Sequence, residues 1–310
     1  MAYIVLYLLS AILVIRGGLY ELMKRRILLY PLMMVVFIIV LFPTMVYADM
    51  GPKDKLTIHV KNPPEGLYYL DLLTQETSKY GNFNEDERKT LNQDMVALLY
   101  SYEDEGWKPA LVEGTGRPMS GDLAGKPSDD ERIHTFGYVG LPTTYRVIIV
   151  TQRSVISVSD ILTRKALQSS LIYDYATGEV TTPNIAITYL MQFLSTCIPT
   201  LFVEGVILIL FGFSFTNNWR VFLLANIITQ IFLTITVGVS LVKTGTLLTY
   251  FLQFPVELGI LVGETIIYKR YLKGQSPKRR TGYGIIANLV SWGLGLYLLH
   301  YQYDFLLKFM

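Results

Sequence analysis

Residues 185–213 of the chain read IAITYLMQFLSTCIPTLFVEGVILILFGF, and Glu204 is the only charged side chain among them. A helix of about 20 apolar residues is long enough to cross the hydrocarbon core of a bilayer. This stretch is therefore predicted to be a transmembrane helix. Five further apolar runs have a similar composition, at residues 1–15, 27–48, 219–242, 246–268 and 282–300.

The composition also indicates a membrane protein. The chain has 310 residues, of which 51% are hydrophobic and 17% are charged, and its mean hydropathy is +0.37. A soluble domain usually carries about 25% charged residues, and a disordered chain needs low hydrophobicity. The predicted fold class is an α-helical transmembrane bundle of about six spans with an inserted extracytoplasmic domain, α+β or β-sandwich-like. Five spans is the alternative, because the run at 1–15 is short.

The charges are segregated along the chain, and this predicts its orientation. Residues 49–184 hold 14 Lys and Arg but 20 Asp and Glu. Of the 13 basic residues elsewhere, 11 lie in three connections, at residues 16–26, at Arg220 and at 269–281. Basic connections stay in the cytoplasm. Six alternating spans then place the domain at 49–184 outside the plasma membrane and leave 185–310 as a four-span domain.

Residues 1–48 have two interpretations. The bases at 24–26, the apolar run after them and the small residues of Val46-Tyr47-Ala48 resemble a secretory leader with its cleavage site. The additional run at 1–15 and the length of 27–48 favour two membrane segments instead, the second acting as a signal anchor. Both interpretations export residues 49–184.

Residues 49–184 are numerous enough to bury a core of their own. Alternating apolar residues predict strands at 56–60, 132–140, 143–151 and 154–159. Residues 67–73 are predicted to be a strand or a short helix. An amphipathic helix is predicted over 85–103, with a capping box formed by Asn84 and Glu87.

The remaining segments of this domain are predicted to be connections and surface. Residues 113–131 are predicted to be a loop, a short helix is expected after Ser159, and a hairpin is expected near Thr177-Gly178. Acidic runs at 85–87, 103–105 and 129–131 are interpreted as solvated surface rather than as cation sites.

The candidate site is a set of polar residues inside the predicted spans. A charged carboxyl in hydrocarbon costs on the order of 2.5 kcal/mol or more, so such residues usually face the bundle interior, a partner or water. Steps of four or seven residues place the polar side chains of each span on one helix face. The predicted intramembrane cluster consists of Glu204, Asn226, Gln230, Glu257 and Glu264.

The depths of these residues below the cytoplasmic ends of the spans are similar. At a rise of about 1.5 Å per residue, Glu204 lies about 14 Å deep, Asn226 about 10 Å, and Gln230 and Glu257 about 16 Å. Glu264 is shallower, at about 6 Å. The cluster is thus predicted to lie at one level, with Glu264 nearer the cytoplasm.

This cluster has two interpretations. Neutral, hydrogen-bonded acids and amides can simply fix the packing of helices. The same oxygen atoms also suit a proton relay or a hard cation. The single cysteine, Cys197, and the three scattered histidines form no Cys/His metal signature, and no cofactor is predicted. The basic loop at 269–281 is explained by topology and anionic lipid, and no nucleic-acid partner is expected.

Three short patterns resemble a group of uncharacterised bacterial multi-pass membrane proteins that have an exported domain between transmembrane spans. The patterns are Ala48-Asp49-Met50-Gly51-Pro52-Lys53, Asn226-Ile227-Ile228-Thr229-Gln230 and the stretch from Glu257 to Tyr268. The resemblance implies this architecture and a bacterial plasma membrane. It implies no activity.

Three functions follow from these observations. The first is a non-enzymatic membrane protein whose exported domain binds or senses an extracellular ligand or a protein partner. The second is a component of a proton- or ion-coupled transporter that uses the intramembrane cluster. The third is a membrane-embedded hydrolase or metalloenzyme, which ranks last because the chain lacks His-rich and paired-Asp motifs.

Overall fold

The computed structural model describes residues 51–76, 85–112 and 119–310. The two N-terminal apolar runs, the cleavage motif at 46–48 and Asn84 of the predicted capping box lie outside these residues. The described chain has a β-rich part at its N-terminal end, followed by four long apolar helices. The predicted combination of a transmembrane bundle with a sandwich-like domain is therefore present.

Short strands build the β-rich part. They are β1 Asp54–Lys61, β2 Tyr68–Thr74, β3 Lys108–Pro109, β4 Met119–Ser120, β5 Lys126–Ser128, β6 Glu131–Tyr138, β7 Thr144–Thr151, β8 Ile156–Val158, β9 Leu162–Thr163, β10 Gln168–Asp174 and β11 Val180–Thr181. One sheet has the order β11-β10-β1-β6-β4, with β5 paired to β6, and the other has the order β3-β2-β7-β8, with β9 paired to β7.

The two sheets share one apolar core. Leu56, Ile58 and Val60 alternate along β1 and are fully buried, because every second side chain of a strand points to the same face. They belong to one buried cluster with residues of β2, β7 and β10. The strands β1 and β10 are parallel, whereas β1 and β6 are antiparallel. This arrangement is a β-sandwich.

The helical segment on the outer face of the second sheet differs from the predicted single helix. Two helices, α1 Glu85–Thr90 and α2 Gln93–Ser101, replace the single helix expected over 85–103. Asn92 separates them because its side-chain oxygen caps α2 by accepting from the backbone N–H groups of Asp94 and Met95. Met95 and Leu99 of α2 then pack on the sheet.

Two other expectations for this domain are wrong. No helix follows Ser159; the chain forms β9 there, and the Ser159 hydroxyl accepts a hydrogen bond from the backbone N–H of Val147. The predicted loop at 113–131 contains β4 and β5 in its described part. The hairpin at Thr177-Gly178 is confirmed by the antiparallel pair of β10 and β11.

The bundle consists of four membrane-length helices, formed by residues Ile185–Leu210, Phe215–Thr244, Thr246–Tyr271 and Pro277–Phe309. Their elements are α3 Ile185–Leu210, α4 Phe215–Leu233, a π-helix Thr234–Gly238, α5 Val239–Thr244, α6 Thr246–Tyr271, α7 Pro277–Leu306 and a 3₁₀ turn Leu307–Phe309. All four predicted C-terminal spans are present. A total of about six spans is not supported, because both N-terminal runs lie outside the described residues.

The helices alternate in direction, so their connections lie at two ends of the bundle. The sandwich contacts one end, where the Leu167 N–H donates to the Val242 carbonyl at 2.9 Å and the Ser170 N–H donates to the Met310 carbonyl at 2.8 Å. At the other end Gln275 donates to the Gly212 carbonyl at 2.7 Å. Arg220 and the basic loop at 269–281 are therefore at the end remote from the sandwich.

Candidate functional site

A cavity of about 60 Å³ lies among the four helices. Its lining on α7 extends from Asn288 to Gln302, which at about 1.5 Å per residue is about 21 Å along the bundle. Each of the four spans contributes polar side chains. The polar lining residues are Gln192, Ser195, Thr196, Thr200, Glu204, Gln230, Gln253, Glu257, Glu264, Asn288, Ser291 and Gln302.

Helical spacing explains why these residues meet. Gln253, Glu257 and Glu264 follow steps of four and seven on α6, and Thr196, Thr200 and Glu204 follow steps of four on α3. Side chains at such spacing share one helix face. The other faces carry apolar residues that are exposed in the isolated chain, such as Phe202 and Ile266, and these suit contact with lipid. The polar faces consequently point into the bundle.

Glu264 is surrounded by hydrogen-bond donors. The Thr229 hydroxyl donates to its Oε1 at 2.5 Å, and the Asn288 amide donates to its Oε2 at 3.0 Å. Glu264 is 2% exposed. An ionised carboxylate is an acceptor at both oxygens, and this arrangement supplies donors to both.

Glu204 has fewer partners. The Ser291 hydroxyl donates to its Oε1 at 2.9 Å, whereas its Oε2 is buried without a hydrogen-bond partner. Ser291 lies three residues after Asn288 on α7, so adjacent side chains of one helix hold the carboxyls of Glu204 and Glu264. Glu204 therefore has one oxygen that remains available to an occupant of the cavity.

The structure places the other predicted residues as follows. Glu257 lines the cavity and accepts from the Gln253 amide at 3.4 Å. Gln230 also lines it, and its amide donates to the Thr200 hydroxyl at 3.3 Å. Asn226 is buried behind the lining. Its amide donates to the Phe222 carbonyl at 3.0 Å and to the Tyr268 hydroxyl at 2.9 Å.

The buried lining atoms without partners are all acceptors. They are Oε2 of Glu204 and the side-chain oxygens of Gln192, Gln230 and Gln253. Each of these four residues is more than 90% buried. A buried polar atom without a partner costs about 1–3 kcal/mol, and in native proteins a water or an ion often accounts for it. The lining contains no Lys, Arg or His, so its three carboxyls face no basic side chain.

Sequence reasoning missed the residues of α7. The predicted cluster includes no residue of this helix, so neither Asn288 nor Ser291 was assigned to the site. The structure instead directs Ser291 to Glu204, and Ser291 and Gly295 line the cavity. Thr229 was also not assigned a role, although it contacts Glu264. The available signal was the spacing of Asn288 and Ser291, three residues apart on one face of an apolar helix.

Aromatic side chains pack against each other in the part of the bundle remote from the sandwich. The rings of Tyr268 and Tyr283 lie 5.0 Å apart, and those of Phe213 and Tyr283 lie 5.6 Å apart. Tyr268 and Tyr283 are fully buried. Toward the sandwich, the lining continues to Gln192 and Gln302, where the Gln302 amide donates to the Ser195 hydroxyl at 2.7 Å. The polar lining therefore extends toward the sandwich as far as Gln192 and Gln302.

The acidic runs of the sandwich contact basic side chains. Glu103 pairs with Lys108 at 3.0 Å, and Glu131 lies 3.0 Å from the ring of His59. Across residues 51–76, 85–112 and 119–310 no group of three or more His, Cys, Asp or Glu side chains is arranged to hold a metal ion. The observations that point to a ligand are therefore those in the bundle.

Comparisons with protein-family models, with curated proteins and with solved structures find no match to this chain. The interpretation of the cavity accordingly depends on its own geometry.

Proposed function

We propose that the four-helix bundle takes up a proton or a small cation, and that the protein is a component of a proton- or ion-coupled membrane transporter. One observation carries this proposal. Three carboxyl groups border a single cavity that no basic side chain lines, and one of their oxygens and three amide oxygens of the lining are buried without a partner.

The alternative, in which the polar residues only fix helix packing, accounts for part of the cluster. Glu264 fits that role, because donors from α4 and α7 face its two oxygens. Glu204 and Gln253 do not fit it, because each leaves an oxygen unpaired at the cavity. Packing alone favours fully satisfied polar groups. A bound proton or cation would supply a partner for these oxygens.

We also propose the location and orientation. The basic connections at the remote end of the bundle support a cytoplasmic position for that end and an extracytoplasmic position for the sandwich. The proposed membrane is the bacterial plasma membrane, in line with the resemblance to uncharacterised bacterial multi-pass proteins. Residues 1–15 and 27–48 would supply two further spans.

The sandwich provides a second candidate function. It is joined to the ends of two spans by the backbone hydrogen bonds of Leu167 and Ser170. A ligand or protein partner that shifts β10 or the segment before it would act directly on α5 and on the end of α7. We propose that the sandwich binds such a partner outside the cell and that the bundle responds to it.

Infrared difference spectroscopy after a pH jump tests the uptake of protons. Purified protein in lipid nanodiscs is expected to show carboxyl bands that are lost in Glu204→Gln or Glu257→Gln. Glu179→Gln, an exposed position near the β10–β11 hairpin, is the matched control and should retain these bands. Identical spectra for the native protein and both bundle variants would show that these acids exchange no proton.

Orientation is tested by labelling intact cells with an impermeant thiol reagent. The native Cys197 is first replaced by serine. Lys89→Cys in the sandwich should then be labelled, whereas Lys273→Cys in the basic loop should be labelled only after permeabilisation. The reverse pattern would exclude the proposed orientation.

A further inference from the structure

We propose that the cavity binds a single alkali-metal cation between Glu204 Oε2 and the side-chain oxygens of Gln230 and Gln253. This inference rests on the proposed function and narrows its ligand. It assigns the occupant from the chemistry of the unpaired atoms.

The oxygen atoms available as ligands favour a metal cation over a proton alone. A carboxylate oxygen can take up a proton, but the oxygen of an amide is too weakly basic to do so at neutral pH. Two amide oxygens of residues that line the same cavity as Glu204, those of Gln230 and Gln253, lack a partner. The Gln253 amide nitrogen faces Glu257, so its oxygen is directed away from that carboxyl. Neutral amide oxygens are ordinary ligands of hard cations.

The charge of the site favours a monovalent ion. Donors already face both oxygens of Glu264, and Glu257 accepts from Gln253, which leaves Glu204 as the acid with a buried, unpaired oxygen at the cavity. A divalent metal would need more carboxylate ligands, and in the described chain no group of three His, Cys, Asp or Glu side chains is arranged to hold a metal ion. One carboxylate with neutral oxygens balances one positive charge.

The space is sufficient for such an ion. A water molecule needs about 10–15 Å³ of cavity volume measured in the same way, so a cavity of about 60 Å³ has room for roughly four water-sized groups. An alkali cation with some of its water fits this volume. The Thr200 hydroxyl, 3.3 Å from the Gln230 amide nitrogen, lines the same space.

The experiment measures thermal unfolding of the full-length protein in nanodiscs during titration with NaCl, LiCl or KCl. Choline chloride keeps the ionic strength constant. A ligand that binds only the folded state raises its stability with concentration. At least one alkali cation should therefore raise the melting temperature in a saturable manner, whereas choline should not.

The variants locate the ion. Glu204→Gln removes the charge and Gln253→Met removes the amide oxygen at similar volume. Each is expected to raise the half-saturating cation concentration at least about tenfold, equivalent to about 1.4 kcal/mol. Thr196→Val is the matched control. It lines the same cavity, but its hydroxyl already contacts the carbonyls of Gln192 and Phe193, so its half-saturating concentration should not change.

Several outcomes would overturn the inference. A native protein indifferent to every alkali cation would exclude the site, even if Glu204 or Glu257 shows the carboxyl bands of proton uptake. In that case the broader proposal would stand without the metal. Stronger stabilisation by Mg²⁺ or Ca²⁺ at equal ionic strength would contradict a monovalent site. Equal losses in Thr196→Val and Gln253→Met would show that the effect is not local to the proposed ligands.

Discussion

The substitution Gly284→Ala is expected to force two transmembrane helices apart. A Cβ atom at position 284 of α7 would lie 2.9 Å from the Cα atom of Thr265 on α6 and 3.0 Å from the Thr265 hydroxyl. Non-bonded carbon atoms are normally about 3.5–4.0 Å apart. Because one of the opposing atoms belongs to the backbone, the helices must separate locally by roughly 0.6–1 Å.

This separation has an energetic and a structural consequence. Overpacking of a well-packed contact costs about 1–3 kcal/mol, and alanine regains up to about 1 kcal/mol in helix propensity. The net loss is expected to be about 1–2 kcal/mol. Asn288 lies one turn after Gly284 and donates to Glu264, the neighbour of Thr265, so the same shift should lengthen this hydrogen bond.

The assay is unfolding of the full-length protein in mixed micelles, with Gly293→Ala as the matched control. Gly293 lies on the same helix, and no other atom lies within 4 Å of its hypothetical Cβ. Gly293→Ala should be neutral or slightly stabilising. If the two variants have the same free energy of unfolding, the close approach of α6 and α7 at Gly284 is not real.

Three further predictions concern the sandwich. Arg164→Ala should lower the free energy of unfolding by about 2–3 kcal/mol, because its guanidinium group donates to Asp54 and to three backbone carbonyls. Burial lowers the pKa of His134 to about 4 from its ordinary value of 6.5. The free energy of unfolding should therefore keep its full value above about pH 6.5 and fall by up to about 3 kcal/mol toward pH 4. The reason is that the unfolded chain binds the proton at a higher pH than the folded chain does. Asn92→Ala should cost about 1 kcal/mol through loss of the α2 cap.

Each of these predictions has a control measured by the same thermal unfolding. Arg153→Ala removes an exposed ion pair with Glu65 and should change stability by less than about 0.5 kcal/mol. A comparable loss in both arginine variants would contradict the proposed role of Arg164. His134→Gln should abolish the acid-dependent loss, and persistence of that loss would assign it to another group. An Asn92→Asp variant should keep the cap, so a loss equal to that of Asn92→Ala would argue against capping.

Local patterns predicted much of the fold. The apolar runs at 185–213 and 246–268 became helices because their length and composition leave no other way to satisfy the backbone in hydrocarbon. The alternation in β1 predicted its buried face. Local patterns were insufficient at Asn92, where a side-chain cap divides a helix, and after Ser159, where pairing with β7 replaces a predicted helix. In both cases a specific hydrogen bond outweighed the periodicity.

The amino-acid sequence by itself predicted helices long and apolar enough to cross a membrane, the sorting of charges along the chain, and similar depths for the acids. These properties depend on composition and on the fixed rise of a helix. Only the tertiary structure decided which polar atoms meet. It directs Asn288 and Ser291 to two different glutamates, satisfies Glu264 and leaves an oxygen of Glu204 unpaired. Such pairing depends on how the helices are rotated and packed against each other, which no single helix specifies.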